Sequence, residues 1–377
     1  MSSLGENEFF NVLLAQSVGR MTRTVMKTVD FSRPWTVLQE AVATWAFPGA
    51  VACVVRKGEA IGEKAFGRFT YEPGAPAVTA ATLYDLASVS KTVVAWGIMS
   101  LEEEGRVDLD TAAATYLPQL RARTDPDRFT IRQLLCHTSG LPSNPELHQM
   151  YPTADALWTA VFTMPLQYRP GTDVCYTSMG YMLLGLVIEA VSGQSLDRFL
   201  AGRLFEPLGM DSTCFRPAPG LRRRIAPTEF SPRRGRILQG EVHDENADVV
   251  GGVAGHTCIF STARDVARFG AMLAGGGRAG RRRLMREATV QRMFEPQTRG
   301  LRELRALGWL VNDPMFGSGF PRTLAHTGFT GTSLCVVPER KLAVVLLANR
   351  VQPTRANEKI RQVRADFHEA VAAALGD

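Results

Sequence analysis

Strand-like segments lie near both ends of this 377-residue chain, and a long stretch of helical patterns separates them. Short apolar runs bounded by Gly or Pro favour strands, whereas apolar residues spaced three or four apart favour helices. The predicted strands cover residues 50–58 and 59–69 near the start, and residues 306–311, 332–337 and 342–348 near the end. Because strands must pair, this order predicts one antiparallel sheet completed by both ends of the chain.

The intervening segment predicts helices. Their patterns cover residues 92–104, 154–164, 180–191 and 262–273, and further helices are predicted at residues 35–45 and 356–375. The expected fold class is therefore α+β, with helices flanking the sheet and a mainly helical part inserted into it.

This pattern predicts two domains. Residues 1–80 and 290–377 would form the sheet domain, residues 81–289 would form the helical domain, and the active site is expected where they meet. Residues 1–33 are predicted to form an additional helix with its apolar residues on one face. Whether that helix packs on the sheet or on another subunit, and the oligomeric state itself, are left open.

Charge is nearly balanced, with 43 basic and 37 acidic residues and a formal net charge of +6. Hydrophobic residues make up 45%, which is ordinary for a globular protein and excludes a disordered or collagen-like chain. Some of the arginines form three clusters, at 222–224, 233–236 and 281–286. Few aromatic residues lie among them, so we interpret them as solvated loops and helix ends, and predict no nucleic-acid partner.

The cysteines and histidines do not predict a metal site. Six cysteines are scattered without a C-x-x-C pair, which argues against a zinc or redox motif and suits a reducing compartment. His243, Asp244 and Glu245 are adjacent, and neighbouring residues rarely point at one ion. We therefore expect no metal and no cofactor.

The N-terminal segment does not resemble a signal peptide, because Glu6 and Glu8 stand where a positively charged region belongs. No stretch has the roughly 18 apolar residues that a membrane span needs. We therefore expect a cytoplasmic protein without a membrane partner.

The strongest chemical motif is Ser88-Val89-Ser90-Lys91. The chain has only six lysines, and this is its one S-x-x-K sequence. A spacing of three places the Ser88 hydroxyl and the Lys91 amine on the same face of a helix, one turn apart. A serine becomes a nucleophile when a nearby base accepts its proton, and a lysine in a dry pocket can serve as that base. A helix cap followed by a surface lysine remains the alternative.

Two later segments add candidates. Tyr176 ends a polar loop before a strongly apolar helix, where its phenol could act as a base, although a buried core tyrosine explains it equally well. His326-Thr327-Gly328-Phe329 precedes a predicted strand, and a backbone N–H there could hold an oxyanion. Alone this segment is a weak signal, because similar His-Thr pairs occur at His137 and His256.

Together and in this order, the three segments resemble those of the penicillin-recognising serine hydrolases: class C β-lactamases, D,D-peptidases, D-aminopeptidases and related carboxylesterases. The resemblance extends over nearly the whole chain beyond residue 36 and includes residues 105–118, 129–142 and 251–269. It implies a β-lactamase/transpeptidase-like fold. It also implies that Ser88 is the acylated nucleophile, Lys91 its partner and Tyr176 the general base, with the N–H groups of Ser88 and Phe329 as the oxyanion hole.

Departures from the family pattern bear on the substrate. Many members have Asn where this chain has the shorter Ser178, and Lys where it has His326. A neutral histidine attracts a substrate carboxylate less than a lysine does. The predicted substrate-binding residues are Ser178, His326, Thr327, Gly328 and, from the segment 240–247, His243.

We therefore predict a metal-independent serine hydrolase that acts on a small-molecule substrate, and the first choice is an esterase cleaving small carboxylic esters. A β-lactamase or D-amino-acid peptidase is the first alternative. A binding or sensing protein that is acylated without turnover is the second, although the intact Ser88, Lys91 and Tyr176 argue against it. An α/β-hydrolase is excluded because the chain has no G-x-S-x-G sequence.

Overall fold

Seven strands form the main antiparallel sheet of the part of the chain described by the computed structural model, residues 29–122, 129–143 and 145–376. Its strands are β1 Gly49–Arg56, β2 Glu59–Gly67, β10 Arg305–Ala306, β11 Trp309–Val311, β12 Leu324–Thr327, β13 Ser333–Val337 and β14 Leu342–Ala348. Their order in the sheet is β10-β11-β12-β13-β14-β1-β2. Strands from the two ends of the sequence therefore meet at the β14–β1 pair, as predicted.

The short strands are β3 Tyr84–Asp85, β4 Cys214–Phe215, β5 Phe230–Ser231, β6 Arg236–Ile237, β7 Ile259–Ser261, β8 Arg278–Ala279 and β9 Arg282–Arg283. The α-helices are α1 Ser32–Ala43, α2 Ser90–Glu103, α3 Ala113–Tyr116, α4 Ile131–Leu135, α5 Leu147–Met150, α6 Ala154–Thr163, α7 Ser178–Ser192, α8 Leu196–Leu200, α9 Glu206–Leu208, α10 Glu245–Val249, α11 Ala263–Ala274, α12 Glu287–Phe294 and α13 Ile360–Ala374. Residues 1–28 of the helix predicted for residues 1–33 lie outside the described residues.

Continuous apolar runs place β1 and β14 at the centre of the sheet. Cys53 pairs with Val345 across these strands, and both side chains are fully buried. Strands covered on both faces need such runs instead of an alternating pattern. Helix α11 packs on β1, β13 and β14, and α1 packs on β2 and α13. The sheet is therefore a rigid support for the turns at its strand ends.

Two details of the sheet differ from the prediction. The single strand predicted for residues 306–311 is divided into β10 and β11 by a turn in which Gly308 has a φ of +87°. Strand β12 was not predicted, because its four residues include His326 and Thr327 and show no alternation long enough to recognise.

The helical region shares its core with the sheet. Val51 of β1, Trp96 of α2 and Leu184 of α7 belong to the same cluster of buried side chains. Contacts make Phe31–Asp377 one compact unit. The division into a sheet domain and a helical domain, with boundaries at residues 80 and 290, therefore stays a prediction.

The sequence analysis interprets the three arginine clusters as solvated loops and helix ends. Most arginines of the three clusters lie in turns, short hairpins or the end of a 3-10 turn, and several pair with acids, as Arg236 does with Glu241.

Within the described residues no individual helix has the length and apolarity to cross a membrane. One pair of helices bent by 76°, Ser178–Ser192 with Leu196–Leu208, meets those two criteria only when the two are taken together.

Candidate active site

Ser88 lies in a 3-10 turn, Ala87–Val89, that continues directly into α2. One helical turn later, the Lys91 Nζ donates to the Ser88 Oγ at 2.9 Å and to the backbone oxygen of His256 at 2.9 Å. Lys91 is fully buried. The S-x-x-K spacing thus places the amine against the hydroxyl, and the carbonyl of His256, far away in sequence, fixes the amine there.

The turn that presents Ser88 is strained and held from below. Ala87 has a φ of +46°, a left-handed conformation that costs about 1–2 kcal/mol for a residue with a Cβ. The buried carboxylate of Asp85 accepts the N–H of Ala87 at 2.8 Å and the N–H of His243 at 2.7 Å. Burial raises the pKa of Asp85. Sequence reasoning missed Asp85, although an aspartate commonly forms a turn by accepting the backbone N–H two residues further on.

Tyr176 lies against the same lysine. The Lys91 Nζ is 5.1 Å from the centroid of the Tyr176 ring, and the Arg305 guanidinium is 5.4 Å from it. The next residue, Thr177, caps α7 by accepting the N–H of Met179. The loop and the start of α7 together place the phenol beside the Ser88–Lys91 pair.

The third motif reaches the site from the sheet. His326 and Thr327 end β12, and Gly328 and Phe329 form the turn before β13. This turn is bonded to the segment before Ser88, since the Thr330 hydroxyl donates to the Asp85 oxygen and the Thr332 hydroxyl to the Leu86 oxygen, both at 2.7 Å. These bonds bring together the two residues, Ser88 and Phe329, whose N–H groups are the predicted oxyanion donors.

A cleft of about 580 Å³ opens over these residues. Of the predicted catalytic and substrate-binding residues, those that line it are Ser88, Tyr176, Ser178, His243, Thr327, Gly328 and Phe329. Lys91 and His326 are buried and are not among the lining residues. The Phe329 ring is 48% exposed in the cleft, so it offers an apolar surface next to the serine.

His326 carries no charge in this environment. Its side chain is 2% exposed and its Nδ1 hydrogen-bonds the Thr327 oxygen at 2.8 Å. Burial, together with the nearby Lys91 and Arg305, lowers the pKa of His326 to about 3. The imidazole is therefore neutral at pH 7, and the third motif offers a substrate no cation.

Sequence reasoning missed the arginines around the cleft, which come from one segment after the last strand of the sheet and belong to none of the three motifs. They are Arg350, Arg355, Arg361 and Arg364. Arg364 is buried and donates to the oxygens of Gly328 and Thr332, at 3.1 and 2.9 Å. Arg350 donates to the Phe329 oxygen at 2.7 Å and lies over its ring, 4.4 Å from the centroid. Both arginines therefore brace the turn that carries Phe329.

Residues 243–246 of the segment 240–247 also line the cleft. His243 Nε2 bonds Glu229 at 2.7 Å, whereas Asp244 accepts from His256 Nε2 at 3.1 Å. The two side chains thus point to different partners. Among the described residues, no three His, Cys, Asp or Glu side chains are grouped so that they could hold a metal ion.

Comparison with known proteins supports a single family. The sequence profile of the β-lactamase family matches residues 36–369. A protein of Escherichia coli (strain K12), provisionally named D-alanyl-D-alanine carboxypeptidase, is 31% identical over 81% of this chain and 79% of its own length. A protein of Salmonella agona (strain SL483) with the same provisional name is 30% identical over 83% of this chain and 81% of its own.

Solved structures agree on the fold. A class C β-lactamase from Rhodobacter sphaeroides superposes with a TM-score of 0.72 and 23% identity, covering 91% of this chain and 99% of that one. A family VIII carboxylesterase superposes with a TM-score of 0.73 and 20% identity, covering 91% and 97%. At these identities the likeness establishes the fold alone, and it assigns none of the substrates of those proteins to this chain.

Proposed function

The chain belongs to the β-lactamase family and is a serine hydrolase, and from that premise we propose that it cleaves small carboxylic esters through an acyl-enzyme on Ser88. The observation that carries the choice of substrate is the neutral, buried His326. An ester needs no charged group at this position. A substrate whose carboxylate must be held there would find no cation.

The proposed first step is the transfer of the acyl group to Ser88. The Ser88 Oγ attacks the ester carbonyl carbon while Lys91 and Tyr176 accept the hydroxyl proton. The N–H groups of Ser88 and Phe329 hold the oxyanion. When the carbon–oxygen bond of the ester breaks, the proton passes to the departing alcohol, which leaves an acyl-serine.

The second step releases the acid. A water molecule gives one proton to Tyr176 and attacks the acyl carbon. As the bond between that carbon and the Ser88 oxygen breaks, the proton passes from Tyr176 to the Ser88 oxygen. The products are a carboxylic acid and free enzyme.

The arginines of the cleft are compatible with a neutral substrate, because several of their N–H donors already have partners. Arg355 pairs with Glu229 and Glu245, while Arg350 and Arg364 donate to backbone oxygens. A guanidinium held in this way has fewer donors left for a ligand.

Peptides ending in D-amino acids are the second candidate. The curated relatives carry that activity in their provisional names. The Arg361 side chain at the cleft is 67% exposed and pairs with the similarly exposed Glu358 at 3.4 Å, a surface pair that a substrate carboxylate could replace. Cleavage of such a peptide, or of a β-lactam, would use the same two steps with an amine as the leaving group.

One panel tests these alternatives. Wild type, Ser88→Ala and the control Ser100→Ala are assayed on p-nitrophenyl acetate and butyrate, a chromogenic cephalosporin and a D-alanyl-D-alanine peptide. Ser100 is a buried serine of α2, the helix that follows Ser88. We expect ester hydrolysis in wild type and Ser100→Ala, and a loss of at least about 10³-fold in Ser88→Ala.

Each contrary result has a distinct meaning. A higher kcat/KM for the peptide or the cephalosporin replaces the esterase proposal by the second candidate. A persistent mass adduct on Ser88 after addition of a β-lactam, without turnover of any substrate, identifies a binding protein. Equal activity of Ser88→Ala and wild type contradicts both.

A further inference from the structure

We propose that His137 is a positioning residue that holds Tyr176 in place against Ser88 and Lys91. The inference rests on the proposed function, because it concerns the same site. It assigns a role to a histidine that the sequence analysis noted in a His-Thr pair and within the segment 129–142, without giving it a function.

His137 binds the chain on both sides of Tyr176. Its backbone oxygen accepts the N–H of Cys175 at 2.9 Å, and its imidazole Nδ1 accepts the N–H of Thr177 at 3.2 Å. Between these two bonds, the imidazole packs on the Tyr176 ring, with centroids 4.5 Å apart and an interplanar angle of 37°. One residue thus constrains the backbone before the phenol, the backbone after it and the ring itself.

His137 is in turn anchored to a rigid element. It follows α4, whose start is fixed by a capping box between Thr130 and Gln133. The hydroxyl of Tyr181, a residue of α7, donates to the Leu135 oxygen at 2.9 Å, and the Tyr181 ring lies 5.1 Å from the imidazole. Such an anchor limits the movement of the loop relative to α7.

The backbone of His137 is strained. Its φ of +59° is uncommon for a residue with a Cβ. Strained residues persist where the surrounding structure holds them, and they concentrate at functional sites. Here the conformation directs the carbonyl and the imidazole of one residue to the same loop.

The imidazole acts as a neutral acceptor. Because Nδ1 accepts the Thr177 N–H, the proton lies on Nε2, which is buried and has no hydrogen-bond partner among the described residues. The groups around it are the rings of Tyr176 and Tyr181 and the charged or titratable Lys91, Arg305 and His326. Burial and the two cations lower its pKa, so the imidazole stays neutral and does not act as an acid or base in the reaction. His137 is also not among the residues that line the cleft.

Two substitutions separate positioning from packing. His137→Phe keeps an aromatic ring but cannot accept the Thr177 N–H. His137→Asn has an amide oxygen at the position of Nδ1, and asparagine tolerates a positive φ. We expect kcat for the ester to fall about 100-fold in His137→Phe with KM within about threefold of wild type, because an Ångström-scale displacement of a reacting group has this effect.

We expect His137→Asn to have at least about a tenth of the wild-type kcat. The pH dependence of kcat should change in shape in the Phe variant and return toward wild type in the Asn variant, because it reports the environment of the base. Leu157→Ala, a fully buried residue that does not line the cleft, is the control for a general loss of stability.

The rate at which a fluorophosphonate labels Ser88, followed by intact mass, gives a second readout that needs no ester turnover. If wild type is labelled but hydrolyses no ester, the esterase proposal fails, and the labelling rates of the two variants still decide on His137. The inference is overturned if His137→Phe matches wild type. It is also overturned if the Phe and Asn variants lose the same amount of activity and an equally destabilised Leu157→Ala loses that amount too.

Discussion

At Gly328 the site leaves no room for a side chain. A Cβ at this residue would lie 2.0 Å from the Thr332 Oγ1 and 2.4 Å from the Leu86 oxygen. The sequence suggested that a small residue lets the substrate approach the strand. The structure adds a stronger constraint, because Gly328 allows the turn that bears Phe329 to contact the segment that bears Ser88.

Gly328→Ala should therefore separate these two segments. We expect kcat/KM for the ester to fall about 100-fold and the free energy of unfolding to decrease by about 1–3 kcal/mol, the usual cost of overpacking. Ester kinetics and urea unfolding measure the two effects. Gly220→Ala is the control, because nothing lies within 4 Å of its added Cβ; similar values for both variants would contradict the argument.

Individual residues differ in how much the sequence revealed of them. Ser88 and Lys91 were predictable because their proximity depends only on helical spacing, and the 2.9 Å contact agrees with it. The role of His256 was not predictable, because its carbonyl lies beside Lys91 only in the folded chain. Arg364 gave no signal for the same reason.

At the scale of elements, the close approach of α7 to the segment 254–257 sets the geometry around Lys91. A Cβ at Gly255 would lie 2.0 Å from the Tyr181 oxygen and 2.9 Å from the nitrogen of Gly185, both in α7. Tyr176 precedes this helix, and His256 follows Gly255. The contact therefore sets the separation between the phenol and the carbonyl that holds Lys91.

Gly255→Ala should push α7 away from this segment. We expect a loss of about 1–3 kcal/mol of unfolding free energy and a lower kcat, since the backbone atoms that the methyl meets cannot turn aside. Gly202→Ala serves as the control, because its added Cβ meets nothing within 4 Å. If urea unfolding and ester turnover were the same in both variants, the helix contact would not set the site.

The elements themselves were largely predictable. Helices predicted at 154–164 and 180–191 occur as Ala154–Thr163 and Ser178–Ser192, because their apolar residues follow the helical period. Strand β12 escaped prediction since four residues between polar turns carry too little periodicity. Its pairing with β13, which places Thr327 opposite Ser333, comes from the sheet.

At the scale of the whole molecule, burial of neutral histidines makes the fold sensitive to acid. The pKa of His326 is lowered to about 3, that of His368 to about 4, and that of His137 is lowered as well, with burial as the largest cause in each case. In the unfolded chain a histidine has a pKa near 6.5. Below that pH the unfolded state binds more protons, so stability is complete above about pH 6.5 and falls as the pH decreases.

The substitution His368→Gln tests the contribution of one buried histidine that has no role in the proposed reaction. Between about pH 4 and 6.5, wild-type unfolding free energy should change by about 1.4 kcal/mol per pH unit for this histidine alone, and the variant should lack that contribution. Urea unfolding at pH 5, 6 and 7.5 measures the slope. Leu157→Ala should lower stability without altering the slope, and an unchanged slope in His368→Gln would contradict the assignment.

By itself, the sequence determined the α+β class, the sheet formed from both ends, the Ser88–Lys91 pair and the family, since periodicity, spacing and motif order are local or ordered along the chain. Only the tertiary structure decided what surrounds that pair. The His256 carbonyl, the His137 contact with Tyr176 and the arginine bonds to the Phe329 turn join residues separated by up to 165 positions or drawn from different elements. Such contacts depend on which elements pack against each other, and the apolar period of one element does not specify its partner.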